Sequence, residues 1–139
     1  MTYRESWSQS QVAMALDRLR TLDERTRIWC SRNREGRTFT LDFASQRVLR
    51  EPGDDSGRPA LPVLKFPKQL ELVEVWTSGS KASSGKITIP YFEDGTSVSW
   101  YVSFEEANSE HNVLFCGRTG QAIHDLEEKK IAELFDAIR

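Results

Sequence analysis

The segment richest in potential chemistry is a loop of glycine, serine and lysine at residues 79–86 (GSKASSGK). Glycines let backbone amides surround a phosphate and a lysine neutralises its charge, so this composition suggests a phosphate-binding loop. The spacing argues against it, because five residues instead of four separate Gly79 from Gly85, and Ile87 replaces the hydroxyl that would bind magnesium. A strand pattern rather than a helix follows. We therefore interpret this segment as a solvated loop.

Other nucleophile and metal patterns are equally weak. Ser78 and Lys81 have a Ser-x-x-Lys spacing, but that arrangement needs a helix and a companion motif, and no Gly-x-Ser-x-Gly elbow occurs in the sequence. The histidines His111 and His124 have no second ligand at a helical or hairpin spacing. The acidic pairs at residues 54–55 and 105–106 lack a calcium loop around them. We predict no catalytic residue, no metal site and no cofactor.

The cysteines Cys30 and Cys116 are the only two in the chain. One interpretation is a disulfide between them in an oxidising compartment, which would link the helix covalently to the sheet. The chain-entropy model gives such a bond a stabilisation of about 4 to 5 kcal/mol. The alternative is two free thiols that act as small apolar side chains. Both interpretations fit the sequence.

Composition restricts the partners. The chain has 38% hydrophobic and 29% charged residues, a formal charge of -2 and a pI near 5.7, with basic and acidic residues interleaved. This balance gives no net attraction to phosphate backbones, so nucleic acid is not an expected partner. No apolar run approaches the ~18 residues of a membrane span. We expect one soluble domain over residues 1–139.

The elements that position these residues begin with an amphipathic helix over residues of about 8–32. Its apolar positions recur every three or four residues, which is typical of one helix face packed on a core. They are Val12, Leu16, Leu19, Leu22, Thr26 and Trp29. Gly36 suits the helix stop. Upstream of this stripe, Trp7 is a candidate for exposure in an assembly.

After the helix the apolar period changes to two, which predicts a β-rich body over residues 37–124. The run 39–43 and the run 47–50 predict a first hairpin, followed by a loop over residues 51–62. A change of apolar phase between Leu72 and Val73 predicts a bulge. Asp94-Gly95 predicts a hairpin between the runs 87–92 and 98–104, with Pro90 indicating an edge strand.

The end of the chain predicts a last strand pair and a closing helix. The run 112–116 turns at residues 117–120 into residues 121–124, and Asp125 with Glu128 would cap a short helix over residues 125–139. Its apolar face is predicted to contain Ile131, Leu134, Phe135 and Ile138. The predicted class is α+β: a long N-terminal amphipathic helix packed on antiparallel β-sheets, with a short C-terminal helix.

Taken together, these segments resemble the soluble part of a minor pseudopilin of the type II secretion system, the general secretion pathway protein H and FimT-like family. Residues 12–27 look like the N-terminal helix of that family, and residues 36–43 look like the strand that follows it. The segment 92–97 (FEDGTS) is similar to its Phe-x-x-Asp-Gly-x-Ser hairpin. The segment 113–122 is similar to its late strand with a Thr-Gly turn.

The resemblance implies a pilin-like fold and a structural role without covalent chemistry. A hydrophobic segment of about 20 residues, outside this sequence, would anchor the subunit in the inner membrane and leave this domain in the periplasm. The implied partners are other pseudopilin subunits, with no nucleic acid and no small-molecule substrate. The residues expected to contact those subunits are Tyr3, Trp7 and Gln11. The alternative function is a cytosolic acidic α+β binding module, such as a secretion chaperone.

Overall fold

The computed structural model describes residues 3–53 and 57–137, and their side chains over 11–53, 57–127 and 129–135. A long helix, α1 (Tyr3–Asn33), precedes the strands, and a short helix, α2 (Glu128–Ala137), follows them. The strands are β1 (Arg37–Asp42), β2 (Arg47–Arg50), β3 (Leu61–Lys65), β4 (Glu71–Thr77), β5 (Lys81–Ala82), β6 (Lys86–Tyr91), β7 (Trp100–Glu106), β8 (Ser109–Phe115) and β9 (Ala122–His124). The predicted α+β class is confirmed.

The strands form two antiparallel sheets that share one core with α1. The first sheet has the order β3-β2-β1-β6 and the second has the order β5-β4-β7-β8-β9. The core contains Val12 and Leu19 of α1, Phe39 and Ile89 of the first sheet, and Phe104 of the second sheet. One helix therefore seals the space between two sheets. In the described part of the chain, neither helix combines the length and apolar character that crossing a membrane requires.

The buried face of α1 differs from the predicted stripe in one important respect. Val12, Leu19 and Thr26 are buried as predicted, while Leu16, Leu22 and Trp29 lie at the margins and are only partly buried. The centre of the face also contains residues that the stripe omitted, namely Ala15, Asp23 and Cys30. Since Asp23 is 2% exposed, the helix carries a charged group into its own packing surface.

The predicted hairpin at Asp94-Gly95 is wrong, although the turn itself is present. Phe92 accepts a hydrogen bond from the Gly95 amide at 3.0 Å, and the flanking strands meet only in an isolated bridge between Tyr91 and Ser97. β6 then pairs with β1, whereas β7 pairs with β4 and β8. The turn therefore connects the two sheets instead of closing a hairpin within one of them.

Other local predictions are confirmed. β1 and β2 form the first hairpin, with Leu41 opposite Val48. Pro90 lies in β6, the edge strand of the first sheet, and the register of β4 shifts between Leu72 and Glu74, where the bulge was expected. The sequence pattern missed β3, which pairs with β2 along the other edge.

The closing helix packs on the opposite face of the second sheet. Ile131 is fully buried and Phe135 is 7% exposed, both against Tyr101 and Leu114. The predicted start at residue 125 is wrong, because α2 begins at Glu128. Asn112 holds the connecting segment instead, since its amide donates to the Leu126 carbonyl at 2.9 Å and accepts from the Leu126 amide at 2.8 Å. Ile138 lies outside the described residues.

Candidate functional site

The joint between α1 and the two sheets is built around Arg27. Its guanidinium donates from Nη1 to the Gly117 carbonyl at 2.7 Å and from Nη2 to the Ser97 hydroxyl at 2.8 Å. Gly117 lies in the turn after β8, and Ser97 lies in the turn between the sheets. One helical side chain therefore ties together two loops that are far apart in sequence. Arg27 is not part of the predicted apolar stripe of α1.

A carboxylate one helical turn earlier holds Arg27 in place. Arg27 donates from Nε to Oδ2 of Asp23 at 2.9 Å and from Nη2 to Oδ1 at 3.1 Å. The Tyr91 hydroxyl of β6 donates to the same Oδ1 at 2.5 Å. The side chains of Arg27 and Asp23 are 11% and 2% exposed, so the pair is largely removed from water. We name Asp23, Arg27, Tyr91, Ser97 and Gly117 the Arg27 junction.

Burial and charge act together on the tyrosine of this junction. Burial raises the pKa of Tyr91 far above its usual range, and the negative charge of Asp23 raises it further. The phenol therefore stays protonated and remains a hydrogen-bond donor to Asp23 throughout the neutral pH range. The Arg27 Cζ atom also lies 5.4 Å from the centre of the Tyr91 ring.

Glycines give the two turns the close approach that the junction needs. A Cβ atom on Gly117 would lie 2.0 Å from the Ser97 carbonyl oxygen. A Cβ atom on Gly95 would lie 2.9 Å from the Arg27 carbonyl oxygen, and one on Gly120 would lie 3.0 Å from Cδ of Arg27. Gly95 and Gly120 also have positive φ angles, 87° and 75°, which favour glycine. The glycines of both predicted turns thus serve the contact with α1.

The opposite side of α1 forms an exposed ridge with alternating steps of four and three residues. Its described members are Met14, Arg18, Thr21, Arg25, Ile28 and Arg32. Met14 is 55% exposed and Ile28 is 45% exposed, and only Thr21 is half-buried. This spacing is the heptad repeat with which helices pack along one another. We refer to these six residues as the α1 ridge.

The predicted contact residues lie toward the start of the same helix. Gln11 is half-buried and stands three residues before Met14, in the step pattern of the ridge. The side chains of Tyr3 and Trp7 lie outside the described residues. Their role in contacts with neighbours stays a prediction.

The remaining candidates are dispersed. Cys30 is buried, Cys116 is half-buried, and both are free thiols in this structure. His111 lies 3.7 Å from the Glu106 carboxylate, whereas His124 is exposed on β9. Within the described residues, no three metal-binding side chains converge. The loop of residues 77–86 contains the two-residue strand β5 and leads into β6, in agreement with the prediction that a strand follows it.

No protein-family model, curated protein or solved structure matches this chain. In this α+β fold Arg27, which is largely removed from water, joins α1 to the turns that follow β6 and β8. The function is therefore inferred from the two faces of that helix.

Proposed function

We propose that this protein is a structural subunit of a type II secretion pseudopilus or a type IV pilus-like filament that contributes to protein export. The observation that carries the proposal is the division of α1 into two faces. One face, from Val12 to Cys30, is buried against both sheets, and the other presents the α1 ridge. A filament subunit needs both faces, because the same helix must pack against the sheets of its own subunit and contact the neighbouring subunits.

The ridge has the composition of a helix-packing surface. Met14 and Ile28 supply apolar contact area, and the stems of the intervening arginines extend that area while their charged ends reach the edge. In the sequence, Trp7 stands one heptad before Met14, so the spacing continues toward the start of the helix. Packing between different faces of identical or related subunits gives an open helical array.

The Arg27 junction suits the same role. A filament transmits the position of the packed helices to the outer bodies, which requires a fixed angle between helix and sheets. Arg27 supplies this through hydrogen bonds to turns from both sheets, because Gly117 and Ser97 cannot move apart without losing them. Directional bonds of this kind specify a single arrangement better than apolar contacts do.

The proposed partners are other pseudopilin subunits. An N-terminal hydrophobic segment would anchor the protein in the inner membrane, and the body described here would lie in the periplasm. The proposed role requires no cofactor and no catalytic residue. The soluble body would then act only through its surfaces.

Cysteine cross-linking in the native cell tests the proposal. Met14→Cys and Ile28→Cys are introduced in a Cys116→Ser background, with Thr88→Cys on the exposed side of β6 as the matched control. Because different faces meet in such an array, a single introduced thiol faces no second cysteine, so each thiol is labelled with a maleimide that carries a photoreactive benzophenone. We expect light-induced cross-linked oligomers from both ridge variants and none from the control. We also expect Ile28→Glu to reduce secretion of an exported protein while leaving the folded body intact.

Two results would overturn the proposal. One is that the ridge variants cross-link no more than Thr88→Cys while the protein fractionates with the cytosol, as the binding-module alternative predicts. The other is a genomic reading frame that lacks an apolar segment upstream of Met1. Either result separates a filament subunit from a cytosolic module.

A further inference from the structure

A groove of about 820 Å³ lies where the end of α1 meets the corner of the first sheet. It is open to solvent and is lined by three arginines, by the two glutamates Glu35 and Glu51, and by apolar side chains. Those used below are Trp29, Arg37, Arg50, Pro52 and Leu61. None of them belongs to the Arg27 junction or to the α1 ridge.

Strand register shows that the groove floor continues the core face of the first sheet. Phe39 is opposite Arg50, and Arg50 is opposite Leu61. Directly opposed residues, and residues two apart on one strand, project from the same face, so Arg37 and Arg50 share the face of Phe39. Phe39 is 4% exposed, whereas Leu61 in the same row is 52% exposed. The sheet face that forms the core under α1 therefore extends into the groove, where it bears Arg37 and Arg50.

The guanidinium of one of these arginines stacks on an aromatic ring. The Cζ atom of Arg37 lies 3.4 Å from the centre of the Trp29 ring. Because the N–H donors of a guanidinium lie in its plane, stacking on Trp29 covers a face of the group and not its donor edge. An edge of this kind matches the two oxygens of a carboxylate.

The electrostatics of the groove favour a bound anion. Partial burial lowers the pKa of Arg37 and the positive charge of Arg50 lowers it further, while Cys30 and Glu35 offset part of this shift. The two guanidinium groups thus repel each other in a site that is partly withdrawn from water. An anion that contacts both groups removes this repulsion.

We infer that this groove binds an extended acidic peptide segment of another protein, with carboxylates held by Arg37 and Arg50. A peptide suits the shape better than a free anion does, because the groove is open and Trp29, Pro52 and Leu61 offer apolar contact along it. The edge strand β3 borders it and exposes Leu61 and Val63, which a segment lying alongside would cover. This inference goes beyond the filament role and does not depend on it.

A fluorescently labelled hexaglutamate peptide is the probe, and its anisotropy reports binding to the full chain. We expect Arg50→Gln to weaken binding about tenfold or more, since the variant loses hydrogen bonds between charged groups, which are stronger than neutral ones. Arg18→Gln on the α1 ridge removes the same charge outside the groove and should change affinity less than twofold. Arg50→Lys keeps the charge but loses the planar donor edge, so we expect an intermediate affinity.

Nuclear magnetic resonance locates the probe independently. The indole N–H signal of Trp29, assigned by its loss in Trp29→Phe, should shift on addition of hexaglutamate in the wild-type protein. A shift that saturates with the same affinity as the anisotropy places the peptide in the groove. Unchanged indole signals during saturable binding would place it elsewhere and overturn the inference.

Three further outcomes would also overturn it. Equal losses in Arg50→Gln and Arg18→Gln would indicate general charge attraction. Displacement of the probe by inorganic phosphate at concentrations no higher than those of unlabelled hexaglutamate would indicate a phosphate site. Affinity raised about tenfold by Asp54→Asn with Asp55→Asn would indicate that the chain's own loop occupies the groove.

Discussion

Asp23 and Arg27 lie one turn apart on α1 and form a two-point ion pair inside the packing surface of the helix, with N–O distances of 2.9 and 3.1 Å. Pairs at this spacing are usually solvent-exposed and contribute little to stability. Here the guanidinium also donates hydrogen bonds to Gly117 and Ser97, and the carboxylate also accepts one from Tyr91. The pair thus connects the helix to both sheets.

Removing Arg27 should be strongly destabilising. Arg27→Ala leaves Asp23 buried without its countercharge and removes the donor to two turns, so we expect a loss of about 3–5 kcal/mol in the free energy of unfolding. Urea denaturation measures it. Arg20→Ala is the control, because Arg20 forms a similar 2.9 Å pair with Asp17 that is exposed to solvent. Similar urea midpoints for the two variants would contradict the structural role of the junction.

The close approach at Gly117 makes a second prediction. In Gly117→Ala the added methyl would collide with the Ser97 carbonyl, at 2.0 Å, and with the Ser99 amide, at 2.8 Å. We expect a loss of about 3 kcal/mol or more, because Ser97 donates its amide to the Gly117 carbonyl at 2.9 Å and the Ser99 hydroxyl accepts from the Gly117 amide at 2.8 Å, so both backbone groups are held against Gly117. Gly79→Ala, whose new Cβ meets nothing within 4 Å, should stay within about 0.5 kcal/mol of wild type. Equal thermal midpoints would show that the turns are not packed this tightly.

The role of Arg27 explains where prediction from the sequence succeeds and where it fails. Apolar periodicity located the first hairpin and most of α1, because Val12, Leu19 and Phe39 are buried for the reason that the pattern expresses. The helix begins at Tyr3 and not near residue 8, since the apolar stripe starts only at Val12. The same rule assigns every charged residue to the solvent side. It therefore missed the Arg27 junction, whose partners on the sheets are 68 and more residues away.

The turn at Asp94-Gly95 failed for a related reason. The dipeptide correctly signals a change of direction, and Gly95 has a φ of 87°. A local signal does not state which strands pair on either side, and here Tyr91 and Ser97 form the last bridge before β6 and β7 enter different sheets. The turn at residues 117–120 is different, because the strands on either side of it, β8 and β9, do pair with each other. The predicted last strand pair is therefore confirmed.

Stability should depend on pH through Tyr91. Its folded-state pKa is raised, by burial first and by Asp23 second, above the value of about 10 in the unfolded chain. Above pH 10 the unfolded state therefore releases a proton that the folded state keeps. The contribution of Tyr91 to stability is fully present below pH 10. Above pH 10 the free energy of unfolding falls by about 1.4 kcal/mol per pH unit.

Tyr91→Phe isolates this contribution. The variant should be less stable at pH 7, because Asp23 loses a donor, yet its stability should decline less steeply than that of wild type between pH 10 and 11. Urea denaturation at several pH values in both proteins gives the two slopes. Parallel slopes would mean that Tyr91 ionises in the folded state as readily as in the unfolded one.

The two cysteines should react at very different rates. Burial in the packed face of α1 raises the pKa of the Cys30 thiol and shields it from solvent, although the nearby charge of Arg37 partly offsets the shift. Cys116 is half-buried in the strand end near the Gly117 turn. Since only the thiolate reacts, we expect iodoacetamide to modify Cys116 first and Cys30 only as fast as the helix opens.

Intact-mass measurements over time, repeated on Cys116→Ser, follow each thiol. Fast modification in Cys116→Ser would show that Cys30 is accessible, and absence of modification in unreduced, unfolded wild type would establish the disulfide instead.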